Sequence, residues 1–338
     1  MYHSHFGLKR TPFSTAADPS LLLMDDMHRD ALAGLWYAIV AHKGFVTLIG
    51  EAGTGKTTLI RKALDVLSKE KHRASVIFNP TLTPAEFLEA VLTNFGVADI
   101  PESKVQRLRL LEDLLAGVHK QENAAVLIVD EAHKLSPELL EEIRLLTNFE
   151  LGDQKLLQIV LAGQTELGDV LNRTDLWQLK QRITVRLQIG RLPASEVQRY
   201  ITYRWNKASE STSKPPFTAA AVVLIERSSL GIPRLINVIC DNALTLAFGA
   251  GLQVVDAAQV ADAVRDLDLN TAEAQPRRPA PAPASPEPLA LVRRARANNL
   301  SIRPELVGLP TLTRYTEQKK GFFNFARRFR AQRVVTIE

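Results

Sequence analysis

The sequence has one cysteine, Cys240, in 338 residues, so no disulfide can form within the chain. It also lacks an uncharged apolar run of about 18 residues, which is the length that a membrane-spanning helix needs. No basic segment followed by an apolar core stands at its start, as a signal peptide would require. We therefore expect a cytoplasmic protein whose core forms without covalent cross-links.

The net positive charge of the chain comes entirely from the residues near its end. Residues 289–338 contain 11 Lys or Arg and 3 Asp or Glu, whereas residues 1–288 contain 31 and 34. Residues 271–288 are rich in Pro and Ala, which predicts a disordered linker. Residues 319–333 of the basic tail interleave Phe with Lys and Arg. Such a segment suits an anionic membrane surface, a nucleic acid or a partner protein, and the three remain open.

Residues 50–57 read GEAGTGKT, which matches G-x-x-x-x-G-K-[ST] at every position. The glycines let backbone N–H groups point at phosphate oxygens. An apolar run precedes the loop and a helical pattern follows it, so the loop ends at a helix N-terminus, where anions are favoured. Lys56 can reach the β- and γ-phosphates of ATP, and the Thr57 hydroxyl can bind Mg²⁺. The residues predicted to hold Mg-ATP here are Gly50, Glu51, Ala52, Gly53, Thr54, Gly55, Lys56, Thr57 and Thr58.

Strand-length apolar runs alternate with helical patterns up to about residue 190. The predicted strands cover residues 45–49, 75–78, 124–129, 156–161 and 184–189. This alternation predicts an α/β fold with a parallel sheet flanked by helices. Only helical patterns follow, which predicts a small all-helical domain. We expect domains at residues 1–192, with the N-terminal segment, and 193–270, then the linker at 271–288 and the tail at 289–338.

Two carboxylates follow the third predicted strand. Asp130 suits the Mg²⁺ shell together with Thr57, and Glu131 suits the general base that polarises the attacking water. His133 either relays contacts to the γ-phosphate or is a structural histidine. Gln164, after the next strand, either hydrogen-bonds the γ-phosphate or the attacking water, or caps its loop.

Three arginines are candidates for contact with phosphate. Arg182 and Arg186 flank the start of the last predicted strand, and either one can act as an arginine finger toward a neighbouring subunit, worth about 10³- to 10⁵-fold in rate. A surface salt bridge is the alternative, and Arg182 is the stronger candidate. Arg234 falls in the first turn of a helix opened by Pro233, where a cation is unfavourable unless it has an anionic partner.

These pieces, in this order, resemble the AAA+ ATPases, which have a P-loop NTPase fold followed by a helical lid. Further motifs are similar to the general secretion pathway ATPases of the ExeA/GspA type. They are Phe6-Gly7-Leu8, Pro12-Phe13, Asp18-Pro19, His28 and residues 160–167. Many members of that type continue into a membrane span and a peptidoglycan-binding module, and neither is recognisable in these 338 residues.

The resemblance implies roles for the candidate residues. Lys56 and Thr57 would be Walker A residues, and Asp130 and Glu131 Walker B residues. The sensor 1, finger and sensor 2 roles would fall to Gln164, Arg182 and Arg234. Residues around Gly7, Leu8 and Phe13 would line the adenine pocket. It also implies a homo-oligomer with the finger acting in trans, partners among secretion or envelope assembly proteins, and peripheral contact with the inner membrane.

Three functions fit this reading. The leading one is hydrolysis of Mg-ATP at a subunit interface to drive assembly of a secretion or envelope/exopolysaccharide system. The alternative is an ATP-dependent DNA-binding protein of transposition, similar to TniB and MuB. A third is a nucleotide-dependent scaffold that hardly turns over ATP.

Overall fold

The computed structural model describes residues 2–78, 80–209 and 214–269. Its strands, in chain order, are β1 Phe45–Gly50, β2 Arg73–Ile77, β3 Ala125–Val129, β4 Glu150–Leu151, β5 Gln154–Lys155, β6 Leu157–Gly163 and β7 Val185–Ile189. Five of them form one parallel sheet in the order β2-β3-β6-β1-β7. The predicted parallel sheet is therefore confirmed. Because β1, β3 and β6 are neighbours, the residues that follow their carboxyl ends lie at one edge of the sheet.

Helices flank this sheet and form all of the regular structure described after β7. They are α1 His3–Phe6, α2 Asp26–Val40, α3 Lys56–Lys69, α4 Pro84–Asn94, α5 Lys104–Lys120, α6 Pro137–Leu146, α7 Glu166–Leu171, α8 Trp177–Gln181, α9 Ala194–Ala208, α10 Ala219–Ser229, α11 Pro233–Gly249 and α12 Ala257–Asp266. Several begin at side chains that cap free N–H groups. Asp25 accepts from the His28 N–H, and Thr83 and Glu86 form a reciprocal capping box.

A short antiparallel hairpin, β4–β5, separates α6 from β6. The sequence predicted no strands there. Each strand has two residues, and both residues of β4 are exposed. Two residues are too few to show the alternation of apolar and polar positions by which a strand is recognised in a sequence.

The first hydrophobic core lies between the sheet and the helices of the α/β part. Strands β3 and β6 are buried along their whole length, as central strands covered on both faces are. Phe87 of α4, Leu111 of α5 and Ile143 of α6 are fully buried in the same core. The neighbouring strands β1, β3 and β6 end at Gly50, Val129 and Gly163, where the loops of the site begin.

A second hydrophobic core joins helices α9 to α12 with the N-terminal segment. Phe13 is 1% exposed and its ring meets Phe217 edge to face, with centroids 6.0 Å apart. The buried Arg204 guanidinium in α9 donates to the carbonyls of Pro12 at 2.7 Å and Ser14 at 2.8 Å. The N-terminal segment is therefore packed on the helices, and the expected domain limits at residues 192 and 193 stay a prediction.

The linker at 271–288 and the basic tail at 289–338, with its segment 319–333, lie outside the described residues. Among the helices that are described, none combines the length and the apolar composition needed to cross a membrane.

Replacing Phe13 tests whether the N-terminal segment is part of the second core. We expect Phe13→Ala to lower the free energy of unfolding by about 3–5 kcal/mol, because a large buried ring is lost and a cavity is left. Phe78→Ala is the matched control, since Phe78 is 46% exposed, and it should cost about 0.5 kcal/mol or less. The measurement is urea unfolding followed by circular dichroism. Equal losses in the two variants would contradict the packing.

Candidate functional site

The loop between β1 and α3 turns within residues 50–55 and delivers the chain to a helix N-terminus. Gly53 has φ +78° and Gly55 has φ +104°, which are left-handed conformations that favour glycine. Gly55 is the N-cap of α3. The first N–H groups of that helix have no partner within the helix, so this end is suited to an anion.

The Lys56 ammonium is buried within this turn. Its Nζ donates to the carbonyl oxygens of Gly50 at 2.7 Å and Glu51 at 2.9 Å. Burial lowers the pKa of the Lys56 amine, and nearby carboxylates, with Asp130 and Glu131 foremost, oppose that shift. The loop therefore contains a cation whose charge is balanced from across the site.

Thr57 and Asp130 bring two oxygen ligands together beside the loop. The Thr57 Oγ1 donates to the Asp130 Oδ2 at 2.6 Å. Asp130 is buried after the end of β3, and its second oxygen accepts from the Glu131 N–H at 2.9 Å. A hydroxyl and a carboxylate suit Mg²⁺, which is typically held by one or two protein oxygens together with phosphates and water. No cluster of three or more His, Cys, Asp or Glu side chains that could hold a metal ion occurs within the described ranges.

Glu131 occupies a left-handed backbone conformation, with φ 54°. Its carboxylate lies 3.3 Å from the Lys134 Nζ and 3.6 Å from the His133 Nε2. Its side chain is part-exposed, so both contacts are open to exchange with water.

His133 links Glu131 to Gln164. The Gln164 N–H donates to the His133 Nδ1 at 3.4 Å, and the Gln164 Nε2 lies 3.3 Å from the His133 Nε2. An accepting Nδ1 leaves the ring hydrogen on Nε2, which then faces the Glu131 carboxylate. The Gln164 Nε2 also only donates, so its approach to the His133 Nε2 is a contact and not a hydrogen bond. The site thus contains a contact chain from Glu131 through His133 to Gln164, which the sequence had left open.

Arg182 and Arg186 are not brought to the loop by any described hydrogen bond. The Arg182 Nη1 donates to the carbonyl of Arg144 at 3.2 Å, to the Asn148 Oδ1 at 2.6 Å and to the Thr147 hydroxyl. These partners lie at the end of α6 and just beyond it. Arg186 is exposed on β7. Neither guanidinium contributes to the site of its own chain in this conformation.

Arg234, in contrast, contacts the loop directly. Its N–H donates to the Gly53 carbonyl at 3.2 Å, and a Cβ added at Gly53 would come within 2.7 Å of the Arg234 Cβ. Its side chain is exposed. Helix α11 therefore begins against the loop at residues 50–55.

A second contact joins the loop to the chain that leads into the helices. The Arg191 guanidinium binds the Glu51 carboxylate through both of its oxygens, at 2.7 to 3.0 Å. Next to it, the Leu192 N–H donates to the Gly231 carbonyl at 2.8 Å. The loop, the β7–α9 connection and the start of α11 thus form one continuous set of contacts.

The adenine pocket expected around Gly7, Leu8 and Phe13 stays a prediction. Leu8 and Phe13 are buried in the second core. Leu22 lies beside the loop, because its Cδ1 is 3.8 Å from the position that a Cβ at Gly55 would take.

A buried pair next to the loop was not predicted from the sequence. The His28 Nδ1 lies 2.8 Å from the Asp25 Oδ1, and its Nε2 lies 3.2 Å from the Thr54 carbonyl oxygen. Asp25 caps α2, and His28 faces inward from its first turn. A histidine three residues after a capping aspartate was the available signal, and it does not reveal the loop partner.

Comparisons with known proteins show which kind of domain this chain contains. Residues 40–171 match the family described as AAA domain. The chain is 43% identical over 256 residues to general secretion pathway protein A of Aeromonas hydrophila, a match that covers 74% of this chain and 46% of that protein. The chain thus spans less than half the length of this relative. The resemblance inferred from the motifs is confirmed.

Solved structures show the same fold at low identity. The ORC2 protein of Aeropyrum pernix, in ADPNP and ADP complexes, has a TM-score of 0.59 at 18% identity, covering 77% of this chain and 73% of that chain. Cdc6p of Pyrobaculum aerophilum has a TM-score of 0.60 at 16% identity, covering 75% and 70%. The predicted P-loop AAA+ fold is therefore confirmed.

The Asp25 carboxylate should make stability depend on pH. Burial raises its pKa, but the hydrogen bonds and charge of His28 outweigh burial, so the pKa lies below its usual value near 4. A depressed pKa in the folded state adds stability above the unfolded-state value, and this stability is lost as pH falls. We expect Asp25→Asn to cost about 1–3 kcal/mol of unfolding free energy at pH 7, and the difference from wild type to shrink below about pH 4.

The measurement is denaturant unfolding of both proteins between pH 7 and pH 3.5. Asp30→Asn, at an exposed position of the same helix, is the control and should show no such dependence. A cost for Asp25→Asn that is constant over this pH range would count against the ionised pair.

Proposed function

We propose that this protein binds and hydrolyses Mg-ATP at residues 50–57. The grounds are its AAA domain, its AAA+ P-loop fold and its relation to general secretion pathway protein A. The observation that carries the proposal is the 2.6 Å contact between Thr57 and Asp130 next to the buried Lys56. A cation, two oxygen atoms suited to bind Mg²⁺ and the N-terminus of a helix therefore lie together at one loop. The solved complexes of the Aeropyrum pernix protein with ADPNP and ADP add support from the shared fold.

In the proposed reaction, loop residues 50–58 bind the phosphates through their N–H groups, and Lys56 exchanges its two loop carbonyls for phosphate oxygens. Thr57 and Asp130 would hold Mg²⁺, which neutralises charge on the β- and γ-phosphates when bound. Arg234 enters the site from the first turn of α11 and adds a positive charge near the γ-phosphate.

Glu131 acts as the general base for the attacking water. Its carboxylate must first leave Lys134 and His133, which lie 3.3 and 3.6 Å away. Gln164 orients the water or the γ-phosphate, and its contact with His133 couples its position to that of Glu131. Hydrolysis therefore requires the contact chain to rearrange around the nucleotide.

We propose that the active form is a homo-oligomer in which Arg182 acts on the neighbouring subunit's nucleotide. Support comes from its position: it contacts the end of α6, and no described hydrogen bond ties it to its own loop. Arg186 is the second candidate. The biological role follows the relative, with hydrolysis in the cytoplasm driving assembly of a secretion or envelope system. The 43% identity to a secretion protein favours this over DNA transposition.

Two substitutions separate binding from chemistry. We expect Lys56→Ala to abolish binding of a fluorescent ATP analogue, because the cation of the loop is lost. Glu131→Gln should keep binding and lower turnover by about 10²- to 10⁴-fold, because the general base is lost. Binding is measured by fluorescence titration and turnover by phosphate release. Wild-type turnover in both variants would rule out the mechanism.

The arginine finger is tested by mixing variants. Arg182→Ala and Lys56→Ala should each be inactive alone, and an equimolar mixture should regain turnover, because an intact loop then meets an intact arginine across an interface. Arg186→Ala, at an exposed position of β7, tests the second candidate in the same mixtures. Full activity of Arg182→Ala, with loss in Arg186→Ala, would instead assign the finger to Arg186. The readout is phosphate release as a function of total protein concentration.

A further inference from the structure

A buried histidine from outside the P-loop motif contacts the backbone of the loop. His28 is 3% exposed, and both of its ring nitrogens face oxygens. Its Nδ1 is 2.8 Å from the Asp25 Oδ1, and its Nε2 is 3.2 Å from the Thr54 carbonyl oxygen. Because a carboxylate and a carbonyl only accept, both contacts are hydrogen bonds when the ring carries a hydrogen on each nitrogen.

The contact with Thr54 determines where the next N–H points. In a planar trans peptide the carbonyl and the following N–H point in opposite directions. When His28 holds the Thr54 carbonyl, the Gly55 N–H is therefore directed to the other side of the peptide. That group belongs to the loop that turns its N–H groups toward phosphate at the start of α3.

The ring fits this place because Gly55 has no side chain. A Cβ at Gly55 would come within 3.1 Å of the His28 Nε2, which is tighter than ordinary contacts. The left-handed φ of +104° at the same residue also favours glycine. Glycine at position 55 therefore leaves the space that the His28 ring occupies next to the Thr54–Gly55 peptide.

Asp25 holds the ring in this orientation at a cost. Its Oδ1 accepts from both the His28 N–H at 2.7 Å and the His28 Nδ1 at 2.8 Å. Its Oδ2 is buried and has no hydrogen-bond partner among the described residues. A buried acceptor without a partner lowers stability, so the arrangement is explained better by what the ring does for the loop than by packing alone.

We propose that His28 is a positioning residue of the nucleotide site, which fixes the Thr54–Gly55 peptide so that the Gly55 N–H faces the phosphates. This inference rests on the proposed ATP binding. It requires only the donor at Nε2, because that nitrogen contacts the loop. The contact of Nδ1 with Asp25 orients the ring but does not reach the loop.

The test compares three variants of His28 that differ in which of the two ring contacts they can keep. The amide nitrogen of His28→Gln can replace Nε2, that of His28→Asn can replace only Nδ1, and His28→Phe replaces neither. The probe is an N-methylanthraniloyl derivative of ATP with Mg²⁺, titrated by fluorescence. We expect Kd within about twofold of wild type for Gln, and about threefold to tenfold weaker for Asn and Phe, the range of one hydrogen bond.

Steady-state ATPase kinetics should separate the Gln variant from the Asn and Phe variants in the same way. The KM for ATP should rise in the Asn and Phe variants while kcat stays within about twofold, because positioning of a loop N–H affects binding of substrate and transition state alike. Thermal unfolding is measured in parallel. A structural role alone would lower the midpoint in all three variants and would not separate Gln from Asn. If His28→Phe does not fold, the Gln and Asn pair decides.

The outcomes distinguish this inference from the function on which it rests. If wild type and Lys56→Ala both fail to bind the probe, the proposed ATP binding is wrong, and the inference falls with it. If wild type binds, Lys56→Ala does not, and the Gln and Asn variants of His28 have equal Kd values, only the positioning role is overturned.

Discussion

The arrangement of the whole site depends on the room left by three glycines in one loop. A Cβ at Gly50 would come closer than 3.0 Å to the backbone of β7, and one at Gly53 would come within 2.7 Å of a side chain at the start of α11. A Cβ at Gly55 would come within 3.1 Å of the imidazole in α2. Each glycine thus allows a different element of the fold to pack closely against the loop. The motif is usually explained by phosphate binding, and in this protein it also lets the sheet, the N-terminal region and the helical part meet at one point.

Because these elements all contact the loop, a nucleotide bound there can affect the conformation of the rest of the protein. The second hydrophobic core contains both the helices α9 to α12 and the N-terminal segment, and the start of α11 contacts the loop through Ile232 and Arg234. The Glu51–Arg191 ion pair adds a link to the connection that leads into α9. A nucleotide that orders the loop would therefore change the position of this core.

Much of the fold was predictable from the sequence because it depends on strong local patterns. The five sheet strands are apolar runs between helices, and their predicted limits differ from the observed ones by no more than two residues. The loop motif and the carboxylates after β3 were predicted because their spacing is distinctive. The contact of His28 with the loop was missed because a histidine in a helical pattern looks the same whether or not it contacts a loop 26 residues away. The partners of Phe13 in the second core were not predictable for the same reason, since long-range packing decides them.

Hydrogen exchange with and without Mg-ATP tests most directly whether the loop couples nucleotide to the second core. In wild type, we expect Mg-ATP to slow exchange in the loop, in residues 22–28 and in residues 231–234. The same addition should change nothing in Lys56→Ala. Slower exchange confined to residues 50–57 in wild type would contradict the coupling, because the nucleotide would then be bound without any effect on the elements that contact the loop.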